Sequence, residues 1–244
     1  KYIATAYNRV FMVDGPDHLR ASDVTDAEEW TLGDSFMAPV NEKDGDEITW
    51  IRMYQSNLVI WKRHSMYELH GPEIGRVSSE WAIQSVVQVG TPNGRTIVDV
   101  GGVLFWLSDS ANARGVVAWS GGKPEVVSQP VQRTIDRINF DAVDTACAGT
   151  DGEGLYILSV PLDEATEPSA MLVFNTADGS WWLWENWSPR IFVRYRINSE
   201  EETLVGDSNG YAYVLGGDDD DGEDIAFEAV VGPTMFGTIT RMKA

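Results

Sequence analysis

The sequence predicts an all-β protein, and within that class a β-propeller made of four-stranded blades of about 48 residues. Three observations carry this prediction. Short apolar runs rich in Val, Ile, Tyr, Phe and Trp follow one another along the chain, amphipathic helical spacing is nearly absent, and the runs recur at a regular interval. With 244 residues, 43% of them hydrophobic, the chain is long enough to bury a large core.

The turns that bound the apolar runs predict the individual strands. Asn-Gly and Asp-Gly pairs, such as Asn93-Gly94 and Asp178-Gly179, tolerate the positive φ angles of tight hairpins. Helical signals are confined to the stretch SDVTDAEEW, in which Thr25 and Glu28 have the spacing of a capping box. We expect one or two helical turns there and strands elsewhere.

The interval between the runs predicts five repeats. Runs that share one layout, an apolar strand, a turn and a second apolar strand, begin at Arg9, Asn57, Val103, Gly154 and Thr203. A spacing of about 48 residues with four strands per unit is typical of propeller blades. The predicted propeller covers residues 1–228, with repeats near 9–50, 51–100, 101–145, 146–195 and 196–228.

The strands VLFWL, LYIL, MLVF and YAYV are apolar at successive positions. A strand with one solvated face alternates between apolar and polar residues, whereas a strand covered on both faces does not. Blade strands lie between neighbouring blades, and a plain β-sandwich or barrel is the alternative. Residues 229–244 depart from the repeat and are predicted to be an exit strand that starts a further β domain. Because a strand-like segment already begins at Lys1, we expect the chain to be a piece of a longer protein.

The charge of the chain argues against several classes of partner. The net charge is −20, from 38 acidic and 18 basic residues. Such a surface is unsuited to binding nucleic acid by neutralising phosphates, or to binding an anionic membrane. The single cysteine, Cys147, excludes an internal disulfide framework and a multi-cysteine metal site. No apolar run approaches the roughly 18 residues of a transmembrane helix, so no membrane partner is expected.

Catalytic motifs are missing from the sequence. There is no nucleophile elbow, P-loop, HExxH or dinucleotide glycine fingerprint, so we expect no enzyme activity, no catalytic residue, no cofactor and no metal. The spacing of His18, His64 and His70 does not predict a metal site. The stretch from Thr176 to Trp181 is faintly similar to a sialidase Asp-box, but its Gly and Trp spacing differs, and we interpret it as a hairpin turn.

Two groups of residues are candidates for an interface or for the wall of a channel. One is an acidic run, which we interpret as a solvated loop. A calcium-binding loop is the alternative, although Gly217 would then occupy the first ligand position. The other consists of two arginines and two tryptophans. The arginines occupy alternate positions on one strand face, and we expect them to pair with acidic neighbours. The complete set is Asp218, Asp219, Asp220, Asp221, Glu223, Asp224, Arg194, Arg196, Trp184 and Trp187.

A known family is similar over nearly the whole chain. The segments LVIWKRHSMYELHG, SSEWAI, IVDVGGVLFWLSDSANARGVVAW, EVVSQPVQRTIDRIN, DGEGLYILSVPL and NTADGSWWLWE resemble, in order, β-propeller proteins of bacteriophage virions. These are the tail hub or nozzle proteins of short-tailed phages, called packaged-DNA stabilisation protein or tail tubular protein B. The segment VVGPTMFGTITRMK resembles the strand that leaves the propeller for a platform domain.

The resemblance implies a non-enzymatic structural protein of a phage tail hub, nozzle or head–tail junction, made in the host cytoplasm and located in the virion. Its partners would be other copies of itself in a ring, a hexamer in this family, together with the portal or adaptor and other tail proteins. DNA would pass through the ring for retention and ejection without sequence-specific binding. An acidic wall suits this role because it repels phosphate.

Two other functions stay open at the level of sequence. A carbohydrate-binding or carbohydrate-active propeller, tail-associated or secreted, is suggested by Trp181, Trp182, Trp184 and Trp187, because sugars stack on Trp. Four Trp so close together are more typical of packing between blades, with the outermost at a subunit contact. A cytoplasmic protein-interaction propeller fits the predicted fold but lacks repeat signatures such as Trp-Asp.

Overall fold

The computed structural model describes residues 2–71, 81–185, 187–197, 200–216, 219–220 and 223–224. These residues form antiparallel sheets with few helices, which confirms the predicted all-β class. Four sheets have four strands each, a fifth has three described strands, and a short hairpin follows it. Strand order within every sheet follows the chain, so each sheet is an up-and-down meander.

The strands have the following bounds. Sheet 1 contains β1 (Ile3–Ala6), β2 (Arg9–Val13), β3 (His18–Ala21) and β4 (Phe36–Pro39). Sheet 2 contains β5 (Ile48–Tyr54), β6 (Asn57–Lys62), β7 (Met66–His70) and β8 (Ala82–Val87). Sheet 3 contains β9 (Val98–Val100), β10 (Val103–Ser108), β11 (Gly115–Trp119) and β12 (Glu125–Val126). Sheet 4 contains β13 (Cys147–Thr150), β14 (Leu155–Val160), β15 (Ala170–Asn175) and β16 (Trp181–Glu185). Sheet 5 contains β17 (Pro189–Ile197), β18 (Glu200–Asp207) and β19 (Ala212–Leu215), and the hairpin contains β20 (Asp219–Asp220) and β21 (Glu223–Asp224). The exit strand predicted at 229–244 lies outside the described residues.

The repeat in the sequence falls on the second strand of each sheet. The runs that begin at Arg9, Asn57, Val103, Gly154 and Thr203 coincide with β2, β6, β10, β14 and β18. A second strand has a neighbouring strand at each edge, and those of the interior sheets have a packed sheet on each face. It therefore keeps the most continuous apolar sequence. The sheets themselves begin one strand earlier, at β1, β5, β9, β13 and β17.

Successive residues of β6 are buried against different sheets. Leu58 and Ile60 belong to a core cluster shared with sheet 1, whereas Val59 and Trp61 belong to a cluster shared with sheet 3. All four side chains are fully buried. The same division recurs in β10, whose alternate residues join clusters with sheets 2 and 4. Burial on both faces, as predicted from the sequence, therefore explains why apolar residues occupy successive positions of these strands.

Sheets 4 and 5 continue this series of face-to-face contacts. Ile157, Met171 and Val173 of sheet 4 form a small cluster against which Phe192 and Leu215 of sheet 5 pack. The five sheets therefore pack in chain order. Their first strands lie side by side, β1 against β5, β9 against β13 and β13 against β17. This arrangement is propeller-like.

Two tryptophans meet in the contact between sheets 2 and 3. The rings of Trp61 and Trp106 meet edge to face with centroids 5.9 Å apart, and both residues are fully buried. Nε1 of Trp106 donates a hydrogen bond of 2.9 Å to the carbonyl oxygen of Gly90. A buried indole N–H needs such a partner, and this one ties the core to the linker that precedes sheet 3.

Asn93 and Gly94, expected to form a hairpin turn, lie instead in the linker between sheets 2 and 3. Asn93 caps a short 3-10 helix (Gly94–Thr96), accepting from the backbone N–H of Arg95. A Cβ on Gly94 would lie 2.4 Å from side-chain atoms of Trp50, so a larger residue at this position would force neighbouring atoms to move. The glycine is therefore required by a close approach between sheets and not by a positive φ.

The stretch expected to hold one or two helical turns forms no helix. Both the backbone N–H and the hydroxyl of Thr25 donate to Oδ1 of Asp23 at 2.7 Å, and the N–H of Asp34 donates to Oδ2 of Asp23 at 2.7 Å. Such side chain–backbone bonds compete with a helix, and here they fold the loop around Asp23.

Helices in the described part of the chain are short. They are α1 (Gln132–Ile135) and 3-10 helices at Gly94–Thr96, Gln129–Val131 and Phe140–Thr145. None of them is long and apolar enough to cross a bilayer.

A buried lysine secures the connection between sheets 1 and 2. Lys62, with a fully buried side chain, donates to both carboxylate oxygens of Asp44 at 2.8 and 2.9 Å, which fixes the loop between sheets 1 and 2. Burial raises the pKa of Asp44, but hydrogen bonds from Lys62, Asp46 and Asn41 outweigh this effect, so the pKa lies below its ordinary value.

Cys147 lies buried where sheets 4 and 5 meet. It begins β13, its side chain is 3% exposed, and its Sγ is 3.4 Å from the carbonyl oxygen of Pro189 in β17. Burial raises the pKa of its thiol to about 12.

Trp106→Ala should lower the free energy of unfolding by about 3–5 kcal/mol, because it leaves a cavity between two sheets and orphans a buried carbonyl. Urea denaturation measures the effect. Trp182→Ala is the matched control, since Trp182 is 40% exposed and its loss should cost roughly 1 kcal/mol or less. Equal effects of the two substitutions would contradict the packing described for sheets 2 and 3.

Asp44→Asn should cost about 3 kcal/mol at pH 7, because it leaves the ammonium of Lys62 buried without its counter-charge. Since the pKa of Asp44 is lowered, its contribution is complete above the ordinary pKa of Asp and is lost as the pH falls through the lowered value. The difference from wild type should therefore shrink in strong acid. Asp163→Asn breaks an exposed pair with Arg137 and should cost much less than Asp44→Asn, because water screens this pair. A loss of stability as large as that of Asp44→Asn in this control would refute the assignment.

Candidate interaction site

Arg194 and Arg196 lie on one face of β17 and bind the same carboxylate. The Nη2 atom of Arg194 is 2.5 Å from Oε2 of Glu201, and that of Arg196 is 2.7 Å from Oε1. Glu201 stands opposite Arg196 in the β17–β18 register. The predicted pairing with acidic neighbours is thus met within the chain. Two guanidinium groups share one carboxylate, which leaves an excess positive charge in a chain of net charge −20.

A glycine in the turn between β13 and β14 leaves room for the side chain of Arg194. The Nη2 atom of Arg194 lies 2.4 Å from where a Cβ on Gly152 would stand, and Gly152 has a φ of +89°. The side chain of Arg194 remains 40% exposed. Arg194, Tyr195, Arg196 and Glu201 line a depression of about 230 Å³, below the usual size of a metabolite site.

Trp184 and Trp187 lie half-buried at the same junction of sheets 4 and 5. Both pack on the cluster of Ile157, Met171 and Val173, beside Phe192 of β17. Phe192, Arg194 and Arg196 share one strand face because their positions alternate. The structure therefore brings the four predicted residues to one junction, where the tryptophans pack and the arginines remain partly exposed.

A row of aromatic rings continues from the half-buried Trp187 to an exposed end. Its ring meets that of Tyr213 edge to face with centroids 5.8 Å apart, and Tyr213 lies 6.4 Å from Tyr211, which is 65% exposed. We call Trp187, Tyr213 and Tyr211 the aromatic row. Sequence reasoning missed the two tyrosines, although the alternation in YAYV was a usable signal for Tyr211 and Tyr213 facing the same way.

The other two tryptophans of the predicted cluster have different surroundings. Trp181 stacks on Phe174 at 4.8 Å between ring centroids, and its Nε1 donates to the carbonyl oxygen of Val127 in the neighbouring sheet region. Trp182, on the opposite strand face, is 40% exposed. Packing between sheets, as the sequence predicts, thus accounts for Trp181.

Four of the six acidic candidates lie at the hairpin after sheet 5. Asp219 pairs with Asp224, and Asp220 pairs with Glu223, as backbone partners in β20 and β21. Asp218 and Asp221 lie outside the described residues. The assignment of this run to an interface, to a channel wall or to calcium binding stays a prediction.

The three histidines lie apart and contact carboxylates. Both ring nitrogens of His18 are 2.7 Å from carboxylate oxygens, one of Asp17 and one of Glu42. His64 lies 3.7 Å from Asp109, and His70 lies 3.2 Å from Glu68. In the part of the chain that the structure describes, no group of three or more His, Cys, Asp or Glu residues is arranged to hold a metal ion.

The Asp-box-like stretch is a hairpin turn between β15 and β16, as interpreted from the sequence. Oδ1 of Asp178 accepts from the backbone N–H of Ser180 at 2.8 Å, and Gly179 has a φ of +75°. Hydrogen bonds from Ser180 lower the pKa of Asp178. Asp178 therefore caps the turn.

Acidic side chains cap turns elsewhere, a role that sequence reasoning missed. Oδ1 of Asp151 accepts from three backbone N–H groups in residues 153–155, at 2.8–3.1 Å. Asp207 accepts in the same way from residues 209 and 211. For Asp207 burial raises the pKa, but these hydrogen bonds outweigh it, so the pKa is lowered. The usable signal was an Asp three positions before a Gly in a loop.

A depression of about 500 Å³ opens at the turn between β1 and β2. It is lined by residues 5–10 with Val24, Thr25 and Ala27. Arg9 is the charged residue of this lining, and its Nη1 donates to the carbonyl oxygens of Ser22 and Asp34 at 2.7 and 2.6 Å. The guanidinium in this depression is thus engaged by the backbone.

Comparison with known proteins gives a likeness of fold and no family. No protein-family model matches the sequence, and no curated protein matches it either. Among solved structures, dihydro-heme d1 dehydrogenase NirN in complex with DHE matches with a TM-score of 0.50 and 11% identity, over 88% of this chain and 47% of that chain. An S. cerevisiae complex of Dbp5 with Nup159, Gle1, IP6 and ADP matches with a TM-score of 0.48 and 12% identity, over 87% and 59%.

The match to NirN bears on fold alone, and the match to the Dbp5 complex supports no conclusion. NirN is a β-propeller, so the likeness supports a propeller-like arrangement of the sheets. The chain spans only 47% and 59% of the two chains. Neither name describes a phage protein, and at this identity the activity of a neighbour does not transfer to this chain.

Trp187→Ala should destabilise the protein by roughly 1–2 kcal/mol, less than a fully buried Trp, because the half-buried ring packs on sheet 4 and on Tyr213. Glu201→Gln, the matched control at the same junction, removes two exposed ion pairs and should cost less than about 1 kcal/mol. Urea midpoints at low and high salt measure both. A larger loss for Glu201→Gln would mean that the arginines, and not the tryptophans, hold sheets 4 and 5 together.

Proposed function

We propose that the protein is a non-enzymatic structural component of a phage virion, in the tail hub, nozzle or head–tail junction. In this proposal copies of the chain form a ring, with six members by family resemblance, in contact with the portal or adaptor and other tail proteins. DNA is retained in the ring and released through it without sequence-specific binding. The protein is made in the host cytoplasm and is located in the virion tail.

The observation that carries the proposal is the pairing of basic side chains with acids of the same chain. A channel that DNA traverses must not bind phosphate, so cations on its wall need to be few or neutralised. In the described part of the chain, seven of the 18 basic residues are held in ion pairs by six of the 38 acids. The pairs are Arg20 with Asp14, Lys62 with Asp44, Arg63 with Asp109, Arg137 with Asp163, Arg190 with Glu167, and Arg194 and Arg196 with Glu201.

The acids themselves are suited to remain charged. The hydroxyl of Thr25 and the backbone N–H groups of Asp34 and Thr25 lower the pKa of Asp23 by hydrogen bonding to its carboxylate, and backbone N–H groups also contribute to the lowered pKa of Asp207. Carboxylates held in this way stay ionised to a lower pH than free ones. An acidic wall built from them repels phosphate across the physiological pH range.

The finer architecture belongs to the same proposal. We take the five sheets as five blades of about 48 residues, followed by the start of a further β domain. Support comes from the face-to-face packing in chain order and from the coincidence of the sequence repeat with the five second strands.

A carbohydrate-binding propeller is the second candidate, and the aromatic row favours it. Exposed rings are platforms on which sugars stack, and the aromatic row runs from the half-buried Trp187 and Tyr213 to Tyr211, which is 65% exposed. Exposed aromatic residues are equally typical of protein interfaces. Direct titration with glycans therefore tells the two candidates apart.

The first experiment is cryo-electron microscopy of native phage particles that contain the protein. We expect copies of the chain in a ring around an axial channel beneath the capsid. An antibody against the recombinant chain that labels no particle, together with a monomer that binds glycans through the aromatic row, would overturn the tail-hub proposal. Tyr211→Ala, which should abolish glycan binding only under the second candidate, is the control.

A further inference from the structure

The sequence contains two Asn-Gly pairs, and the structure holds them in opposite ways. Asn93-Gly94 lies in the linker between sheets 2 and 3, and Asn209-Gly210 lies in the turn between β18 and β19. An Asn-Gly pair can react with itself, because glycine has no Cβ to shield its backbone nitrogen from the preceding side chain. In a folded protein the rate depends on how firmly the asparagine is held.

Asn93 is held at both ends of its side-chain amide. Its Nδ2 atom is within hydrogen-bond distance of three carbonyl oxygens in residues 143–146, at 2.9–3.1 Å. Its Oδ1 atom accepts from the backbone N–H of Arg95 at 2.9 Å. Gly94 is buried, and the ψ of 112° at Asn93 turns the nitrogen of Gly94 away from the asparagine side chain. The pair can therefore react only after the linker has opened.

Asn209 has far less to restrain it. Both Asn209 and Gly210 are exposed. Among the described residues, the side chain of Asn209 has one hydrogen bond, from Nδ2 to Oδ2 of Asp207 at 3.2 Å. Gly210 has a φ of +87°, and a Cβ there would meet no atom within 4 Å, so the space beside this glycine is open. The side chain that must move is thus restrained by a single long hydrogen bond at the surface.

We propose that Asn209 is a residue at which the native protein deamidates, and that the reaction loosens the turn between β18 and β19. The backbone nitrogen of Gly210 attacks Cγ of Asn209 and gives its proton to water, and the side-chain nitrogen leaves as ammonia. The cyclic succinimide that results takes up one water molecule and opens at either carbonyl carbon. The product is aspartate, or isoaspartate when the chain continues through the side-chain carbon. The inference does not depend on the proposed function, because it concerns the chemistry of one turn.

The reaction places a second carboxylate against the one that caps the turn. Oδ1 of Asp207 accepts from the backbone N–H groups of Asn209 and Tyr211 at 2.8 and 2.9 Å. Burial raises the pKa of Asp207, but the hydrogen bonds that it accepts outweigh this effect, so the carboxylate is ionised at neutral pH. Deamidation replaces the donor Nδ2 of Asn209 by an oxygen, and two negative charges then stand where a hydrogen bond was. The turn that weakens carries Tyr211, the exposed end of the aromatic row.

Peptide mass spectrometry of the full chain, incubated in its folded state at neutral pH, measures the reaction at each pair. A deamidated peptide has the mass of a carboxylic acid in place of a carboxamide. Product at Asn209 should accumulate at least about 100-fold faster than at Asn93, because a protected site reacts only in the small fraction of molecules that have opened. In guanidinium chloride the two pairs should react at similar rates, since neither is then held by the fold.

Similar rates at the two pairs in the native protein would overturn the assignment. A preference for Asn209 that persists unchanged in the unfolded chain would also overturn it, because the fold would then not be the cause. Asn209→Gln lengthens the side chain and disfavours ring closure, so it should remove the signal from this peptide while the circular dichroism spectrum stays that of wild type. A signal of equal size in Asn209→Gln would come from another residue and would refute the proposal.

Asn209→Asp carries the side chain of one product and tests whether the turn loosens. Hydrogen exchange at the backbone N–H of Tyr211 should be about threefold faster or more than in wild type, because charge repulsion weakens its bond to Asp207. Asn209→Gln, which keeps a neutral amide, is the matched control and should exchange as wild type does. The N–H of Leu155, which donates to Asp151 in the turn between β13 and β14, is the internal reference. Equal exchange at Tyr211 in wild type and Asn209→Asp would refute the loosening of the turn.

Discussion

The structure depends on the requirement that the strands of each interior sheet be buried on both faces at once. A side chain on β6 or β10 points to one of two neighbouring sheets, and the next side chain points to the other. A polar residue at any such position would be buried without water and would need a partner within the packed layers. This constraint dictates the continuous apolar runs, places large residues such as Trp61 and Trp106 against each other, and leaves polar chemistry to the turns and linkers.

Polar groups accordingly act at the edges of the sheets. Lys62 and Asp44 fix the loop between sheets 1 and 2, and Asp23 organises the long loop within sheet 1. Asp151 and Asp207 close turns by accepting from several backbone N–H groups. Many acids of this chain therefore have a structural task in addition to their charge. A loop that is closed by a carboxylate keeps its shape and its negative potential together, so the two properties are not independent.

The second strands were the most predictable part of the fold, because burial on both faces leaves a direct record in the sequence. The starts of the sheets were not predictable in the same way, since the first strands lie one strand before each repeat signal. Local spacing also misled. Thr25 and Glu28 suggested a helix, but the carboxylate of Asp23 competes for the same N–H groups, and Asn93-Gly94 suggested a hairpin where Trp50 requires a glycine for space. At the candidate site, the common face of Arg194 and Arg196 followed from alternation, whereas their shared partner Glu201 depended on a strand register that no single sequence reveals.

The burial of Cys147 gives the chain a built-in reporter of its own opening. A thiol with a pKa of about 12, packed against Pro189, carries almost no thiolate at neutral pH and is shielded from alkylating reagents. It becomes reactive when β13 separates from β17. The rate at which the native protein takes up such a reagent therefore measures how often sheets 4 and 5 part, with no added label. Because this is the single cysteine of the sequence, the signal has one source.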